Sequence, residues 1–243
     1  MPSEAETDTR FNGRTVIVTG AAGHLGRAVA KAFAALDANL VLLDRIHERL
    51  TSAFGKETDR RLLLATDLLS AEETQHSVAK AVKRYGCIDV LCNITGGFRT
   101  GQSVHETTDE TLDFLFGVNV RTLFHAVHAV VPYMLARKYG KIVNVAAYAA
   151  EKGVAGMGAY SASKSAVIRV TEAMAAELRE QRINVNCVLP TIIDTPVNRA
   201  AMPDADPARW VAPQDLANVI VFLASDHAQA IHGAAIPVAG LSG

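Results

Sequence analysis

Short apolar runs alternate with longer helical patterns along the whole chain. Seven runs are nearly continuous in β-branched residues and leucine, which is typical of strands buried on both faces of a parallel sheet. These predicted strands are Thr15 to Thr19, Asn39 to Leu43, Leu62 to Thr66, Ile88 to Cys92, Lys141 to Ala146, Ile183 to Leu189 and Ala234 to Val238. Helical patterns lie between them, at about His24 to Leu36, Ala71 to Tyr85, Asp109 to Arg137, Gly158 to Glu180 and Pro213 to Ala224.

This alternation predicts an α/β fold: a doubly wound parallel sheet (Rossmann fold) of about seven strands with helices on both faces. The ligand site of such a sheet lies beyond the carboxyl ends of its strands. Residues 1–10 are acidic and polar and predict a flexible tail. No linker, repeat or low-complexity tract divides the rest, so residues 11–243 are expected to form a single domain.

Composition narrows the classes of function. The 243 residues include 24 basic and 25 acidic ones, with no basic run, so the chain has no electrostatic footprint for nucleic acid or an anionic membrane. No apolar run is expected to reach membrane-spanning length. Cys87, Cys92 and Cys187 lack the spacing of a disulfide framework or a zinc site, so we expect no metal and a cytoplasmic location. A small molecule is the expected partner.

A glycine-rich turn joins the first predicted strand to the first predicted helix. Glycines let the backbone approach a ligand closely, and the free N–H groups at a helix start favour an anion such as a pyrophosphate. The alternative is an ordinary glycine-rich turn, but the strand–turn–helix context favours a dinucleotide site. The residues of this candidate cofactor site are Gly20, Gly23, His24, Leu25 and Gly26.

Asp44 closes the second predicted strand, where a carboxylate can accept hydrogen bonds from both hydroxyls of an adenosine ribose. The same carboxylate would repel a 2′-phosphate, so the sequence favours NAD over NADP. Arg45 complicates this prediction, because a neighbouring guanidinium can bind a phosphate. As an alternative, both residues simply form the solvated end of a strand.

Polar residues follow the next two strands. Asp67 and Leu68 come after the third strand, from which Asp67 reaches an adenine edge or, with equal weight, caps a helix. Asn93, Thr95 and Gly96 follow the fourth strand, where a turn could run close beneath a cofactor. We predict that all five residues contact the cofactor.

Tyr160 and Lys164 stand four residues apart, which places a phenol and an ammonium on one helix face. A nearby cation stabilises phenolate and would lower the pKa of the tyrosine from about 10 toward neutrality, where acid/base work is efficient. An isolated pair of this kind is more often a surface tyrosine and a solvated lysine. Asn119 is a polar residue in an otherwise apolar helix and, as a lone feature, is more often a satisfied core amide than a catalytic one.

Taken together with the loop Pro190 to Thr195, these residues occur in the order found in short-chain dehydrogenases/reductases, which the chain resembles over about residues 12 to 240. The resemblance implies a nicotinamide-dependent oxidoreductase in which Tyr160 is the acid/base. Lys164 would bind the nicotinamide ribose and lower the pKa of Tyr160.

The same resemblance implies roles for the other matching positions. Asn119 would hold a water molecule of the proton relay, which adds it to the predicted catalytic residues. The loop that contains Pro190, Ile193 and Thr195 would cover the nicotinamide, with the Ile193 backbone near its carboxamide. The family commonly pairs its two long central helices between subunits, so a homodimer or homotetramer is expected.

Three positions depart from the family pattern. Gly23 precedes His24 where the family has its glycine one place later, and Ile94 and Thr95 replace the usual Asn-Ala. The family also has a serine thirteen residues before the tyrosine, where this chain has Ala147. Losing one donor from an oxyanion site costs about 2.7 to 4 kcal/mol. Tyr148 is expected to be a poor substitute, because neighbouring strand residues point to opposite faces.

At these unusual positions the chain resembles the quinonoid dihydropteridine reductases, one branch of the family. That branch shares the glycine spacing, an aromatic residue after paired glycines (Phe98 here), an alanine at position 147 and the stretch from Leu189 to Trp210. We therefore predict that Phe98, Ala147 and Tyr160 contact the substrate. The segment from Met202 to Trp210 is either a lid over the site or a structural loop with Trp210 in the core.

Three functions follow from the sequence. The first is an NADH-preferring reductase of a quinonoid dihydropterin-like molecule, whose reduction creates no localised alkoxide. The second is a carbonyl or alcohol oxidoreductase that tolerates Ala147. The third, from another class, is a catalytically weak NAD-binding regulatory protein, which the intact Tyr160 and Lys164 disfavour.

Overall fold

The computed structural model describes residues 11–242; the predicted tail over residues 1–10 lies outside the described residues. All seven predicted strands are present, with ends shifted by up to two residues. They are β1 (Thr15–Thr19), β2 (Asn39–Asp44), β3 (Arg61–Ala65), β4 (Val90–Asn93), β5 (Gly140–Val145), β6 (Ile183–Pro190) and β7 (Ala235–Val238). The strands form one parallel sheet, which confirms the predicted fold class.

The order of the strands in the sheet is β3-β2-β1-β4-β5-β6-β7. Val18 of β1 is paired with Leu42 of β2 on one side and with Cys92 of β4 on the other. The chain therefore builds outward in one direction from β1 and then in the opposite direction from β4. A crevice opens beyond the carboxyl ends of these two strands, because the connections that follow them diverge.

Helices cover both faces of this sheet. The α-helices are α1 (His24–Ala34), α2 (His47–Phe54), α3 (Ala71–Tyr85), α4 (Asp109–Phe116), α5 (Thr122–Arg137), α6 (Gly158–Leu178), α7 (Pro196–Ala201) and α8 (Pro213–Ala224). The core on one face joins α1 and α8 to side chains such as Val16 and Val18. The core on the other face joins α3, α5 and α6 to side chains such as Ile17. Alternation along β1 thus supplies both cores.

Two short helices were not predicted from the pattern. Helix α2 has eight residues and buries only Leu50, and α7 buries none of its six residues, so both are too short for a helical period to be recognised in the sequence. Helix α7 begins at Pro196, where the missing proline N–H would be unpaired in any case.

The predicted helix Asp109 to Arg137 is divided by a π-helical segment, Gly117–Arg121, between α4 and α5. Contrary to the sequence-based expectation, this stretch is long and apolar enough to cross a membrane by length and composition alone. Half of its most apolar window is buried inside the protein. The burial against α3 and α6 gives the apolar composition a role in the core.

Several large apolar side chains remain exposed along α4 and α5. They are Leu112, Phe114, Phe116, Phe124, Tyr133 and Leu135, each between 36% and 49% exposed. A protein–protein contact would remove this surface from water. The predicted homodimer or homotetramer stays a prediction.

We expect Phe33→Ala to destabilise the fold strongly. Phe33 lies on α1, is fully buried in the core that α1 shares with α8, and makes an edge-on contact with Phe11, with ring centroids 4.9 Å apart. Loss of such a side chain costs about 3 to 5 kcal/mol of the free energy of unfolding, because a cavity replaces it. Urea unfolding measures the change. Phe98→Ala is the matched control, since Phe98 is 62% exposed; equal losses in both variants would contradict the assigned core.

Candidate active site

A cleft of about 500 Å³ lies where the strand order reverses. Twelve of the residues predicted to bind the cofactor line it: Gly20, Gly23, His24, Leu25, Gly26, Asp44, Arg45, Asp67, Leu68, Thr95, Gly96 and Thr195. The structure therefore brings together residues from the ends of four strands. It also adds lining residues that the sequence did not single out, among them Arg49 on α2, Phe114 on α4 and Val118 in the π-helical segment.

The glycine turn forms the floor of this cleft. A Cβ at Gly26 would lie 2.3 Å from the Gly20 carbonyl oxygen, so the helix approaches the turn too closely for any side chain. Gly20 has φ +62°, a conformation that L side chains rarely adopt. Helix α1 begins at His24, and Gly23 supplies no side-chain cap. The first N–H groups of α1 are thus available to an anion.

Asp44 lies at the far end of the cleft and is buried. Its carboxylate accepts a hydrogen bond from the Ala22 N–H at 3.2 Å and lies 3.6 Å from the Arg49 guanidinium. Arg45 lines the same end of the cleft and is exposed. Two arginines therefore line the cleft near Asp44, and the sequence identified only Arg45. Arg49 was missed because it lies on α2, a helix that the pattern did not predict.

Asp67 shapes the adjoining wall of the cleft. Its Oδ1 accepts a hydrogen bond from the Leu69 N–H at 2.9 Å, which folds the chain after β3 into a turn. The helix-cap interpretation is wrong, because the α3 cap is Ser70, whose hydroxyl accepts a bond from the Glu73 N–H. Leu68 is buried, and its carbonyl is bonded to His125 on α5.

Asn93 does not line the cleft, contrary to the prediction. It belongs to β4, is buried, and donates a hydrogen bond from Nδ2 to Asn144 Oδ1 at 2.8 Å. Asn144 in turn donates to Thr171 on α6. Strand β4 runs one residue further than predicted, so Asn93 lies beneath the turn. Through Asn144 it links β4 to α6. Thr95 and Gly96 form the surface of the cleft instead.

Asn119 lies in the π-helical segment and fixes the same turn from the other side. Its Oδ1 accepts from the Gly97 N–H at 2.9 Å, and its Nδ2 donates to the Gly97 carbonyl at 3.1 Å and to Ser163 Oγ at 3.0 Å. All of its side-chain groups are therefore engaged. The structure assigns Asn119 a positioning role, and the predicted relay water stays a prediction.

Lys164 lies deep in the site. It is buried on α6, and its Nζ donates a hydrogen bond to the Val145 carbonyl at 2.9 Å. A Cβ at Gly96 would lie 3.1 Å from both this Nζ and Asn119 Oδ1. The ammonium therefore faces the floor of the cleft through a gap that only glycine leaves open. Burial lowers the pKa of Lys164 to about 8.

Tyr160 lies on the same helix, as the four-residue spacing predicted. Burial raises the pKa of its phenol to about 12, and Lys164 is not among the causes of this shift. The expectation that Lys164 lowers the pKa of Tyr160 is therefore wrong for this structure. The reason is geometric as well as dielectric, since the ammonium is bonded to the Val145 carbonyl.

A second cavity, of about 450 Å³, lies beside the first and contains Tyr160. The three predicted substrate residues, Phe98, Ala147 and Tyr160, all line it. The Phe98 ring meets the Tyr160 ring edge-on, with centroids 4.8 Å apart. The turn from Gly96 to Phe98 separates the two cavities, with Gly96 in one lining and Phe98 in the other.

Tyr148 also lines this second cavity, next to Ala147. The sequence did not predict a place for Tyr148 there. The strand-alternation argument fails because β5 ends at Val145 and a 3₁₀ turn, Tyr148–Ala150, begins directly after Ala147. Side chains on such a turn do not alternate between two faces.

The loop after β6 closes the cavity. Pro190 lines the second cavity and Thr195 lines the first, whereas Ile193 lines neither and is bridged to Val211. No residue from Met202 to Trp210 lines either cavity, and Trp210 is buried. The structure favours the structural-loop interpretation of that segment over the lid.

The chemical capacity of the site follows from these groups. The second cavity holds the phenols of Tyr160 and Tyr148, the buried Lys164 amine lies one helical turn beyond Tyr160 on α6, and an anion-binding turn opens beside them. Within residues 11–242, no group of three or more His, Cys, Asp or Glu side chains is arranged to hold a metal ion. The arrangement suits proton delivery to a small molecule that lies next to a bound dinucleotide.

Comparisons with known proteins agree with this geometry. A family model described as short chain dehydrogenase matches residues 14–206. The chain is 33% identical to the 3-oxoacyl-[acyl-carrier-protein] reductase FabG of Thermotoga maritima, with 95% of this chain and 98% of the relative covered. It is 34% identical to dehydrogenase/reductase SDR family member 6 of Danio rerio, with the same coverage of each chain.

Among solved structures, an NAD+-bound xylitol dehydrogenase superposes with a TM-score of 0.86 at 29% identity. The match covers 95% of this chain and 99% of that one. The fold is thus shared over almost the whole length of both proteins.

The buried amine predicts how stability depends on pH. The pKa of Lys164 is about 8 in the folded protein and 10.5 in its ordinary state, so the folded protein releases this proton first. The free energy of unfolding should therefore rise between pH 8 and pH 10.5, because the unfolded chain holds more protons in that range. Lys164→Met should lack this rise.

Urea unfolding of both proteins at pH 7, 8, 9 and 10 measures the difference. Lys152→Met, at an exposed lysine, is the matched control and should follow the wild type. If the stability of Lys164→Met tracks the wild type across this range, the amine keeps its proton in the folded state and the assignment fails.

Proposed function

The chain belongs to the short-chain dehydrogenase family, and we propose that it is a nicotinamide-dependent, NADH-preferring reductase of a small quinonoid molecule, with Tyr160 as the proton donor. The preferred substrate class is dihydropterin-like. The assignment to the branch of the family that acts on such molecules rests on the residues of this chain. The relatives compared above are named for other substrates or only for the family.

The residues of the first cleft fit a nicotinamide dinucleotide. The glycine floor leaves no room for a Cβ at Gly26, and the α1 N–H groups face outward from it, as a pyrophosphate requires. Asp44 would accept the adenosine ribose hydroxyls, and Asp67 lies on the adjoining wall. Lys164 would donate to the nicotinamide ribose through the gap at Gly96. When bound, the reduced cofactor supplies a hydride to the substrate.

The side chains of the second cavity supply the proton. Tyr160 Oη gives its proton to the heteroatom of the substrate that gains electron density, which leaves a phenolate at Tyr160. With its pKa raised to about 12, the phenol is protonated at neutral pH and releases its proton only as the substrate is reduced.

One observation carries the choice of substrate: Ala147 lines the cavity beside Tyr160, at the position where the family has a serine. Reduction of a simple ketone creates a localised alkoxide, which a site lacking that donor stabilises poorly, by about 2.7 to 4 kcal/mol. Reduction of a conjugated quinonoid ring spreads the charge instead. Tyr160 then suffices as the single proton donor.

A carbonyl or alcohol oxidoreductase is the second candidate. The observation that favours it is the phenol of Tyr148, which lines the same cavity. Its hydroxyl could serve where the family's serine hydroxyl is missing at position 147. Two of the compared proteins, a 3-oxoacyl-[acyl-carrier-protein] reductase and a xylitol dehydrogenase, are named for such chemistry.

Rates of NADH oxidation separate the candidates. We expect turnover of a freshly generated quinonoid dihydropterin to exceed turnover of every member of a ketone panel. Tyr160→Phe should lower the rate by about 10²- to 10⁴-fold, because it removes the acid and keeps the ring. Ala147→Ser should raise ketone reduction and leave the quinonoid rate unchanged.

The alternative outcomes are distinct. Turnover of ketones alone would replace the first proposal by the second. Tight NADH binding without turnover of either class would favour a regulatory NAD-binding protein. Full activity of Tyr160→Phe would show that the assigned site is wrong.

Asp44→Ser tests the cofactor preference. The wild type should bind NADH more tightly than NADPH, because the buried carboxylate repels a 2′-phosphate. Removing it leaves Arg45 and Arg49 free to receive that phosphate, so the ratio of the two affinities should shift toward NADPH by about tenfold or more. Cofactor fluorescence titration measures both dissociation constants. Asp67→Ser is the control; an unchanged ratio in Asp44→Ser would refute the preference.

A further inference from the structure

Besides Tyr160, the substrate cavity contains a second phenol that the structure leaves without an internal partner. Three hydroxyl-bearing side chains line the cavity: Tyr160, Thr191 and Tyr148. Thr191 donates its hydroxyl proton to the Ala239 carbonyl at 2.9 Å, so that donor is occupied. Among the described residues, the Tyr148 hydroxyl makes no hydrogen bond, and the side chain is 37% exposed.

The backbone explains why Tyr148 faces the cavity. Ala147 is extended, with φ −160° and ψ 150°, and its carbonyl accepts the first bond of the turn Tyr148–Ala150, from the Ala150 N–H at 3.0 Å. The Glu151 N–H closes the next bond onto the Tyr148 carbonyl. The base of the tyrosine is thus fixed by two hydrogen bonds, while its ring projects from the turn.

Ala147 and Tyr148 complement each other. Ala147 is buried, with a side chain too short to reach across the cavity, and it leaves space where a larger residue would stand. Tyr148, the next residue, lines the same cavity with a longer side chain that ends in a hydroxyl. Compared with the family pattern, the cavity lacks the serine hydroxyl at position 147 and has the Tyr148 hydroxyl at the next position.

We propose that Tyr148 is a substrate-contacting residue whose Oη donates a second hydrogen bond to the substrate heteroatom that receives the proton of Tyr160. It takes over the task of the absent hydroxyl at 147. The inference rests on the proposed function only in placing proton delivery at Tyr160. It holds for both substrate classes, since each gains electron density on an oxygen or nitrogen during reduction.

Lys152 is the competing donor. It also lines the cavity, but it is exposed and stands beside Glu151, another lining residue of opposite charge. A flexible ammonium in water is a poor fixed donor, because it loses rotamer freedom on binding and is well solvated when free. Tyr148 needs only two torsions to be fixed.

The test is a kinetic comparison of Tyr148→Phe, Tyr148→Phe with Ala147→Ser, and Lys152→Met. It uses the substrate that the wild type turns over. Tyr148→Phe keeps the ring and removes the hydroxyl, so we expect kcat/KM to fall by about tenfold or more. The added serine should restore most of that loss, because it returns a donor to the cavity. Lys152→Met should change kcat/KM by less than about threefold.

Thermal unfolding and NADH titration of each variant separate a lost donor from a damaged fold. Unchanged kcat/KM in Tyr148→Phe overturns the inference, and so does a loss that Ala147→Ser fails to restore in a variant that folds and binds NADH normally. A loss in Lys152→Met alone overturns it in favour of the lysine. Activity retained by Tyr160→Phe is a different result, which overturns the proposed function itself.

Discussion

The two hydrogen bonds between the Asn119 side chain and the backbone of Gly97 hold the site together. They join the turn after β4 to the π-helical segment, and a third bond from the same amide reaches Ser163 on α6. The turn carries Gly96 in the first cavity and Phe98 in the second, so its position sets the distance between them. Replacing the amide would leave the partly buried N–H and carbonyl of Gly97 without their protein partner, which destabilises the turn.

Desolvation dominates the electrostatics around this turn. Burial moves the pKa of Lys164 and the pKa of Tyr160 in directions that both favour the neutral form. An ammonium and a phenolate are therefore both poorly stabilised in this interior.

The sequence predicted the sheet well because strands buried on both faces leave long apolar runs. It predicted most of the cofactor cleft for a related reason: chain order places the residues at strand ends, and the ends of parallel strands share one edge. The failures have local causes. Helix α2 has only eight residues, too few for a helical period to be recognised, so Arg49 was missed, and an extra residue in β4 placed Asn93 beneath the turn. The 3₁₀ turn after Ala147 broke the alternation on which the exclusion of Tyr148 rested, and burial outweighed the spacing argument for the pKa of Tyr160.

The walls of the second cavity come from three connections that lie outside the sheet: the turn at Phe98, the segment from Ala147 to Met157, and the loop from Pro190 to Ile192. Most of their side chains are partly exposed and contribute little to either core. Substitutions there would change which molecule the protein accepts with small effects on folding, whereas the glycine floor and the Asn119 anchor tolerate almost none. The substrate range of this protein can therefore change by substitutions in these three connections. Each variant along the way would still fold, because the connections contribute little to the cores.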